Sequence, residues 1–374
     1  MPGKLFPVGG PVSEKDVVDR EDFIGSLQTR LSHGQSIMLA GPRRTGKTSL
    51  ADEVLRRMRR QGAYTTVIDC FRLSDKRDFA VSLINACLEN RTGIRKTFDA
   101  LKKQVTSIAG AARMTVKLEG LQFDFSWLHD SSIDDDLLDY ALDLPEALAI
   151  HDKKLMVVLF DEFQDVFRIA NTDIYKKLRS YFQRHQNVSY LFLGSKEGMM
   201  KTLFANQKEA FYRYATILPI PPISEESWVQ YIKGKFEQQE IAVDDEAVIE
   251  ILQKTGGHPQ DTMLVCSEVY YAILEMGEKT LTPHAIRSGY DRALVTLAQV
   301  YDEILDEISQ RLQARQILRR LATNGRAYDK RFNPNETKRV LDYLITRAII
   351  EKTGRGSYRF IEPMFQDHLV RGFE

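Results

Sequence analysis

The chain has no excess of either charge: 52 Lys+Arg stand against 52 Asp+Glu in 374 residues. That balance excludes a protein that binds nucleic acid merely by being basic, so any such binding needs a local patch. Cysteine is scarce. Cys70, Cys87 and Cys266 are odd in number, scattered and without ligand spacing, which argues against a disulfide framework or a zinc site and reads as ordinary thiols in a reducing compartment. No apolar run approaches the roughly 20 residues of a membrane helix, and the first ten residues lack the apolar centre of a signal peptide. A soluble cytoplasmic protein with no membrane partner is expected. Repeats and low-complexity stretches are absent as well. What is present is a chain 43% hydrophobic, too apolar to be disordered and long enough for roughly two or three domains.

One segment dominates. Ser36 to Ala40 is an apolar run of strand length, followed by Gly41-Pro42-Arg43-Arg44-Thr45-Gly46-Lys47-Thr48. Ser49 to Met58 then has helical periodicity, with Leu50, Val54, Leu55 and Met58 on one face. Strand, glycine loop and helix form the context that the phosphate-loop pattern GxxxxGK[ST] requires. With glycine at about 7% of residues, a chance match in such a chain is on the order of one in a hundred. Gly41 and Gly46 let the backbone wrap a phosphate with its N–H groups inward, and the helix N-terminus favours the anion. Lys47 can reach the β- and γ-phosphates of a nucleotide, and the Thr48 hydroxyl can bind Mg²⁺.

Leu155 to Phe160 is a continuous apolar run, as expected of a strand buried on both faces, and it ends in Asp161-Glu162. Asp161 can support Mg²⁺ or its water, and Glu162 can polarise an attacking water as general base. Asp-Glu after a strand is also a common solvated turn; the phosphate loop upstream favours the catalytic reading. Gly62 to Asp69 and Ser189 to Leu193 read as further strands. A strand inserted between the loop strand and the Asp-Glu strand is the order in which a catalytic glutamate is found. Ser195 follows Gly194 at a strand tip, either as a polar sensor of the γ-phosphate or as a plain turn serine.

Together these residues resemble a family. Asp19-Arg20-Glu21 looks like its Gly-Arg-Glu box, and Gly41–Leu50, Phe160–Gln164, Leu193–Ser195, Phe211–Arg213 and Gly256–Pro259 follow in its order. The chain is similar, over nearly its whole length, to the archaeal-type ATPases. These belong to the signal-transduction (STAND) branch of AAA-like P-loop ATPases and are akin to origin-recognition ATPases. The resemblance implies ATP as ligand, with the loop through Ser49 around its phosphates and Arg20 and Glu21 near the adenine. It implies a lid helix beginning at Pro259 over the base, and an arginine finger at Arg213, which reads equally as a surface arginine. Asp19 stands where the family has glycine, His258 where asparagine is common, and Glu362, in the closing motif Phe360–Phe365, where aspartate is usual.

The expected fold is α/β: a three-layer αβα core with a parallel sheet over residues 1–222, a helical lid over 223–294 and a winged helix-turn-helix over 295–374. An insertion at about 91–154 carries a β-hairpin around Glu119-Gly120 and a helix from Ser131 to Ala149. Pro219, Pro221 and Pro222 close the core, because closely spaced prolines cannot continue a central strand. In the tail, Tyr301–Leu321 and Asn335–Ile345 read as helices and Ile349–Phe360 as a hairpin with Gly354 and Gly356 at its tip. Arg319, Arg320, Arg326, Lys330, Arg331, Lys338, Arg339, Arg347, Lys352 and Arg355 concentrate positive charge there, which suits double-stranded DNA, with the helix in the major groove and the wing on phosphates. Winged helices also bind proteins, so a protein partner or a second copy of the chain stays open. Two functions follow: a Mg²⁺-dependent ATPase working as a nucleotide-driven switch or motor, or a DNA- or partner-binding adaptor that holds ATP with little turnover. A kinase fits less well, since nothing reads as an acceptor-substrate pocket.

Overall fold

A computed structural model of the chain describes residues 4–89, 113–118, 121–125, 131–309, 313–324, 327–328 and 333–372. Its centre is a five-stranded sheet of β1 (Ile37–Ala40), β2 (Tyr64–Asp69), β5 (Met156–Asp161), β6 (Val188–Phe192) and β7 (Thr216–Pro219), in the order β2-β5-β6-β1-β7 and parallel throughout. β6, the strand that leads to Ser195, is the one inserted between the loop strand and the Asp-Glu strand. β7 lies at an edge, which is where Pro219 is tolerated opposite Ala40.

Alternation along the strands divides the apolar side chains between two faces. Ile37, Leu39, Val157, Leu159 and Leu191 pack on one side with Leu27 and Leu31 of α1 (Glu21–Ser32) and Leu50, Val54 and Met58 of α2 (Lys47–Arg60). Met38, Val158, Phe160, Tyr190 and Phe192 pack on the other. There they meet α3 (Lys76–Leu88), α4 (Ser131–Asp152) and α5 (Phe167–Phe182). This is the expected three-layer αβα arrangement. The Phe160 ring lies 5.6 to 6.1 Å from those of Phe163, Phe182, Tyr190 and Phe192. Deleting such a buried ring costs about 3–5 kcal/mol, so the strand that presents Asp161 is rigidly held. Beyond the sheet, β3 (Arg113–Leu118) and β4 (Leu121–Phe125) pair antiparallel as the expected hairpin; its turn at Glu119-Gly120 lies outside the described residues.

After α6 (Glu197–Ala205) and β7 come α7 (Glu225–Glu237), α8 (Asp245–Thr255), α9 (Pro259–Met276) and α10 (Pro283–Ser309). α10 runs unbroken through residues 294 and 295, where the lid and tail were expected to divide. The helix expected over Tyr301–Leu321 is therefore two elements, the end of α10 and α11 (Ala314–Asn324). The apolar positions that made the stretch look continuous, such as Tyr301, Leu305, Ile308, Ile317 and Leu321, all enter one core shared by α7 to α11. The chain ends with α12 (Pro334–Thr346), the hairpin β8 (Ile350–Gly354) and β9 (Ser357–Phe360), and α13 (Pro363–Arg371). Among the described residues no helix is long and apolar enough to cross a membrane.

Candidate nucleotide site

Parallel strands end on one rim, and open α/β sheets bind ligands beyond that rim. Here the rim carries the loop after β1, Asp161-Glu162 after β5 and Gly194-Ser195 after β6. Residues 43–49, Arg20, Asp161, Glu162, Ser195 and Pro259 line a single cavity of about 700 Å³.

Gly46 is left-handed at φ 84° with open space around it, so its backbone conformation is what excludes a side chain. Gly41 differs: a Cβ there would crowd the Thr45 hydroxyl at 3.2 Å. Thr45 in turn donates to the Pro42 carbonyl at 2.9 Å, tightening the loop. The Lys47 amine donates to the carbonyls of Gly41, at 2.8 Å, and Pro42. Thus Gly41 and Pro42 do not line the cavity but support Thr45 and Lys47, whereas Arg43 to Ser49 face it. Burial pushes the Lys47 amine down to about 8, against the pull of Glu162, Glu197 and Asp161.

Thr48 Oγ1 donates to Asp161 Oδ2 at 3.1 Å, and the Glu162 amide to Asp161 Oδ1 at 2.9 Å. Burial and the neighbouring Glu162 and Asp69 carboxylates hold Asp161 above the ordinary carboxylate range despite these bonds. Glu162 has left-handed backbone, φ 50°. Its Oε2 accepts from Gln164 Nε2 at 2.5 Å, the Ser195 amide at 2.9 Å and the Ser195 hydroxyl at 2.8 Å. Burial raises this carboxyl, but the donors and Lys47 outweigh it, so it stays below the usual range. Ser195, expected to sense a phosphate, is thus spent in this structure on Glu162.

Arg20 is buried, and its guanidinium donates to the Pro221 carbonyl. Asp19 beside it has φ 52°, a conformation that suits the family's glycine but that aspartate tolerates, and its carboxylate accepts from the Ser224 amide at 2.8 Å, ahead of α7. Two expected site residues lie elsewhere. Glu21, in the first turn of α1, points to solvent and forms a two-pronged ion pair with Arg57 of α2. Arg213 is exposed beside the start of β7, on the opposite rim of the sheet, and lines a separate pocket with Arg179 and His185. A four-residue strand spans about 13 Å, which separates Arg213 from the loop of its own chain.

The apolar end of the cavity is formed by Val8, Val17, Val18, Ile223, Trp228 and Met263, none of which any motif marked. Phe6 anchors this N-terminal segment in the core shared by α7 to α11, Asp16 pairs with Lys235 and Tyr231, and the Val12 amide donates to Ser49 at 3.1 Å. Only their apolar type, in segments some two hundred residues apart, was legible.

The loop also touches the tail. Arg44, left-handed at φ 64°, approaches Glu362 at 3.5 Å. His258 precedes α9, and its Nε2 donates to the Arg43 carbonyl at 3.1 Å. Its Nδ1 lies 3.7 Å from Asp261, beyond hydrogen-bond reach. Burial keeps His258 below its ordinary value and raises Asp261 to about 6; the Glu362 carboxyl is also held above its usual range, by burial and by Asp261.

A family model described as an ATPase domain predominantly from Archaea matches residues 17–265. In fold the chain is similar to a Walker-type ATPase of Pyrococcus abyssi, with a TM-score of 0.70 at 16% identity over 98% of this chain and 99% of that one. The ORC2 protein of Aeropyrum pernix, seen as ADPNP–ADP complexes, has a TM-score of 0.54 at 14% identity over 99% and 98%. The ORC1 protein of the same organism, in complex with DNA, has 0.50 at 12% over 95% and 93%. No curated protein matches the sequence significantly.

Proposed function

The chain belongs to the family of ATPase domains found predominantly in Archaea, and from that premise we propose that it binds ATP with Mg²⁺, hydrolyses it and works as a nucleotide-driven switch. The observation that supports this most is the convergence of Lys47, Thr48, Asp161 and Glu162 on one cavity. In this reading the loop amides and Lys47 hold the β- and γ-phosphates. Glu162 Oε1, which no donor among the described residues reaches, takes a proton from the attacking water. Met263, Trp228 and Pro259 close on the base, with Arg20 beside it.

The donor set suits Mg²⁺. Thr48 and Asp161 offer hard oxygens 3.1 Å apart, and the strained charge on Asp161 favours a cation. Mg²⁺ is commonly held by one or two protein oxygens, with phosphates and water completing its shell. When bound, Mg²⁺ would supply positive charge against the phosphate oxygens.

The switch rests on the junction between loop and tail. Arg44 lines the nucleotide cavity and also faces Glu362, so a phosphate and the tail compete for one guanidinium. We read 223–294 as the lid and 295–374 as a winged helix. Hydrogen exchange of α13 is expected to differ between ATP- and ADP-bound protein; identical protection in both states would overturn the switch.

A second reading, DNA binding, is favoured by α12 and the wing. Lys338, Arg339, Lys352 and Arg355 are exposed and make no ion pair with another described residue. Arg347 instead pairs with Glu307, Arg320 bonds the Ala327 carbonyl, and Arg326, Lys330 and Arg331 lie outside the described residues. The ORC1 protein of similar fold was solved with DNA. Lys338→Glu with Arg339→Glu is expected to weaken duplex binding and flatten its salt dependence, each lost phosphate contact removing about 0.9 from the logarithmic slope. A wild-type chain that shifts no duplex at low salt would remove this reading.

A further inference from the structure

Glu162 is held by more than its place in the chain, and one of its partners belongs to no expected site. Gln164 follows two residues later in the short turn Phe163–Val166 and is 3% exposed. Its Nε2 donates to Glu162 Oε2 at 2.5 Å, the same oxygen that accepts both groups of Ser195. A carboxylate only accepts, so the amide orientation is fixed and the Gln164 carbonyl must point away. There its side-chain oxygen Oε1 is buried and has no hydrogen-bond partner among the described residues. The position is enforced from outside. A Cβ on Gly194 would fall 2.3 Å from Gln164 Oε1 and 2.5 Å from Met200, so only glycine there leaves room for the amide. The turn itself is fastened by the Tyr175 hydroxyl, which donates to the backbone carbonyl of Gln164 at 3.0 Å.

An orphaned buried amide oxygen costs free energy, roughly 1–3 kcal/mol for a group of this kind. A glutamine kept there for packing alone would gain by being apolar. We propose that Gln164 is a positioning residue for the hydrolytic step: with Ser195 it holds one oxygen of Glu162 so that the other, Oε1, faces the cavity and the water to be activated. Gly194 is the space that makes this geometry available. The inference rests on the reading of Glu162 as general base.

Gln164→Met keeps the length of the side chain but has no donor; Gln164→Ala removes the side chain. Both are expected to lower kcat for ATP about tenfold or more, the scale of a charge-assisted hydrogen bond, while KM and ATP affinity stay near wild type. In a Glu162→Gln background neither change should lower the residual rate further, because the group being positioned is gone. Loss of ATP affinity in step with kcat would mean a packing role and overturn the inference. So would an unchanged kcat, or a kcat that rises, the latter meaning that the bonds restrain the base rather than aim it. If Glu162→Gln alone hydrolyses ATP like wild type, the reading of Glu162 fails first, and the two failures are thereby told apart.

Discussion

Lys47→Ala is expected to lose ATP binding, with Kd weakened about 100-fold or more, some 2.7 kcal/mol. The argument is electrostatic. Lys47 is a buried amine held between two carbonyls and pushed down to about 8 by burial. A triphosphate beside it would supply the anion that its desolvated charge lacks. Removing the side chain removes that attraction but also the cost of burying an ammonium, and water in the cavity can satisfy the freed carbonyls of Gly41 and Pro42. The fold should therefore survive. Thermal unfolding without nucleotide is expected to change little, whereas the rise in Tm on adding ATP should disappear; at 100 times Kd that rise reflects about 2.7 kcal/mol in the wild type. Equal stabilisation of both proteins by ATP would remove the phosphate-site assignment.

Glu162→Gln is expected to do the opposite, keeping ATP affinity while turnover falls about 10²- to 10⁴-fold, the usual weight of a general base. The amide retains the shape of the carboxylate and can still accept from Ser195, so the cavity persists. What is lost is a group able to take a proton. Separate measurements of ATP binding and of single-turnover hydrolysis distinguish this from damage to the pocket. A variant that turns over ATP at the wild-type rate would transfer the base to another residue.

These two residues were legible because strand, glycine loop and Asp-Glu strand end are local patterns, and parallel β1 and β5 carry both to the same rim whatever the rest of the chain does. The three-layer core followed from the same strands. Arg213 shows the limit. Its distance from the loop depends on which rim β7 starts from, a matter of strand direction, and the observed direction places it on the rim opposite the phosphate loop of its own chain. Glu21 shows another: adjacent helix residues diverge by about 100°, so Arg20 turns inward while Glu21 meets Arg57 on the surface. The places of Trp228 and Glu362 depended on contacts across the fold, of which Arg44–Glu362 joins residues 318 positions apart. No periodicity encodes such a pair. The tail's helix count failed for a related reason, since a shared core makes two consecutive helices equally apolar.

The most direct test of hydrolysis at this site is steady-state ATP turnover by the wild-type chain over a range of protein concentrations, beside Glu162→Gln. The account predicts a rate that the substitution abolishes. A specific activity that also rises with concentration would mean an assembling ATPase, with Arg213 a candidate finger from a neighbouring copy. Wild-type turnover no greater than that of the variant would contradict the account and leave a chain that holds ATP as an adaptor.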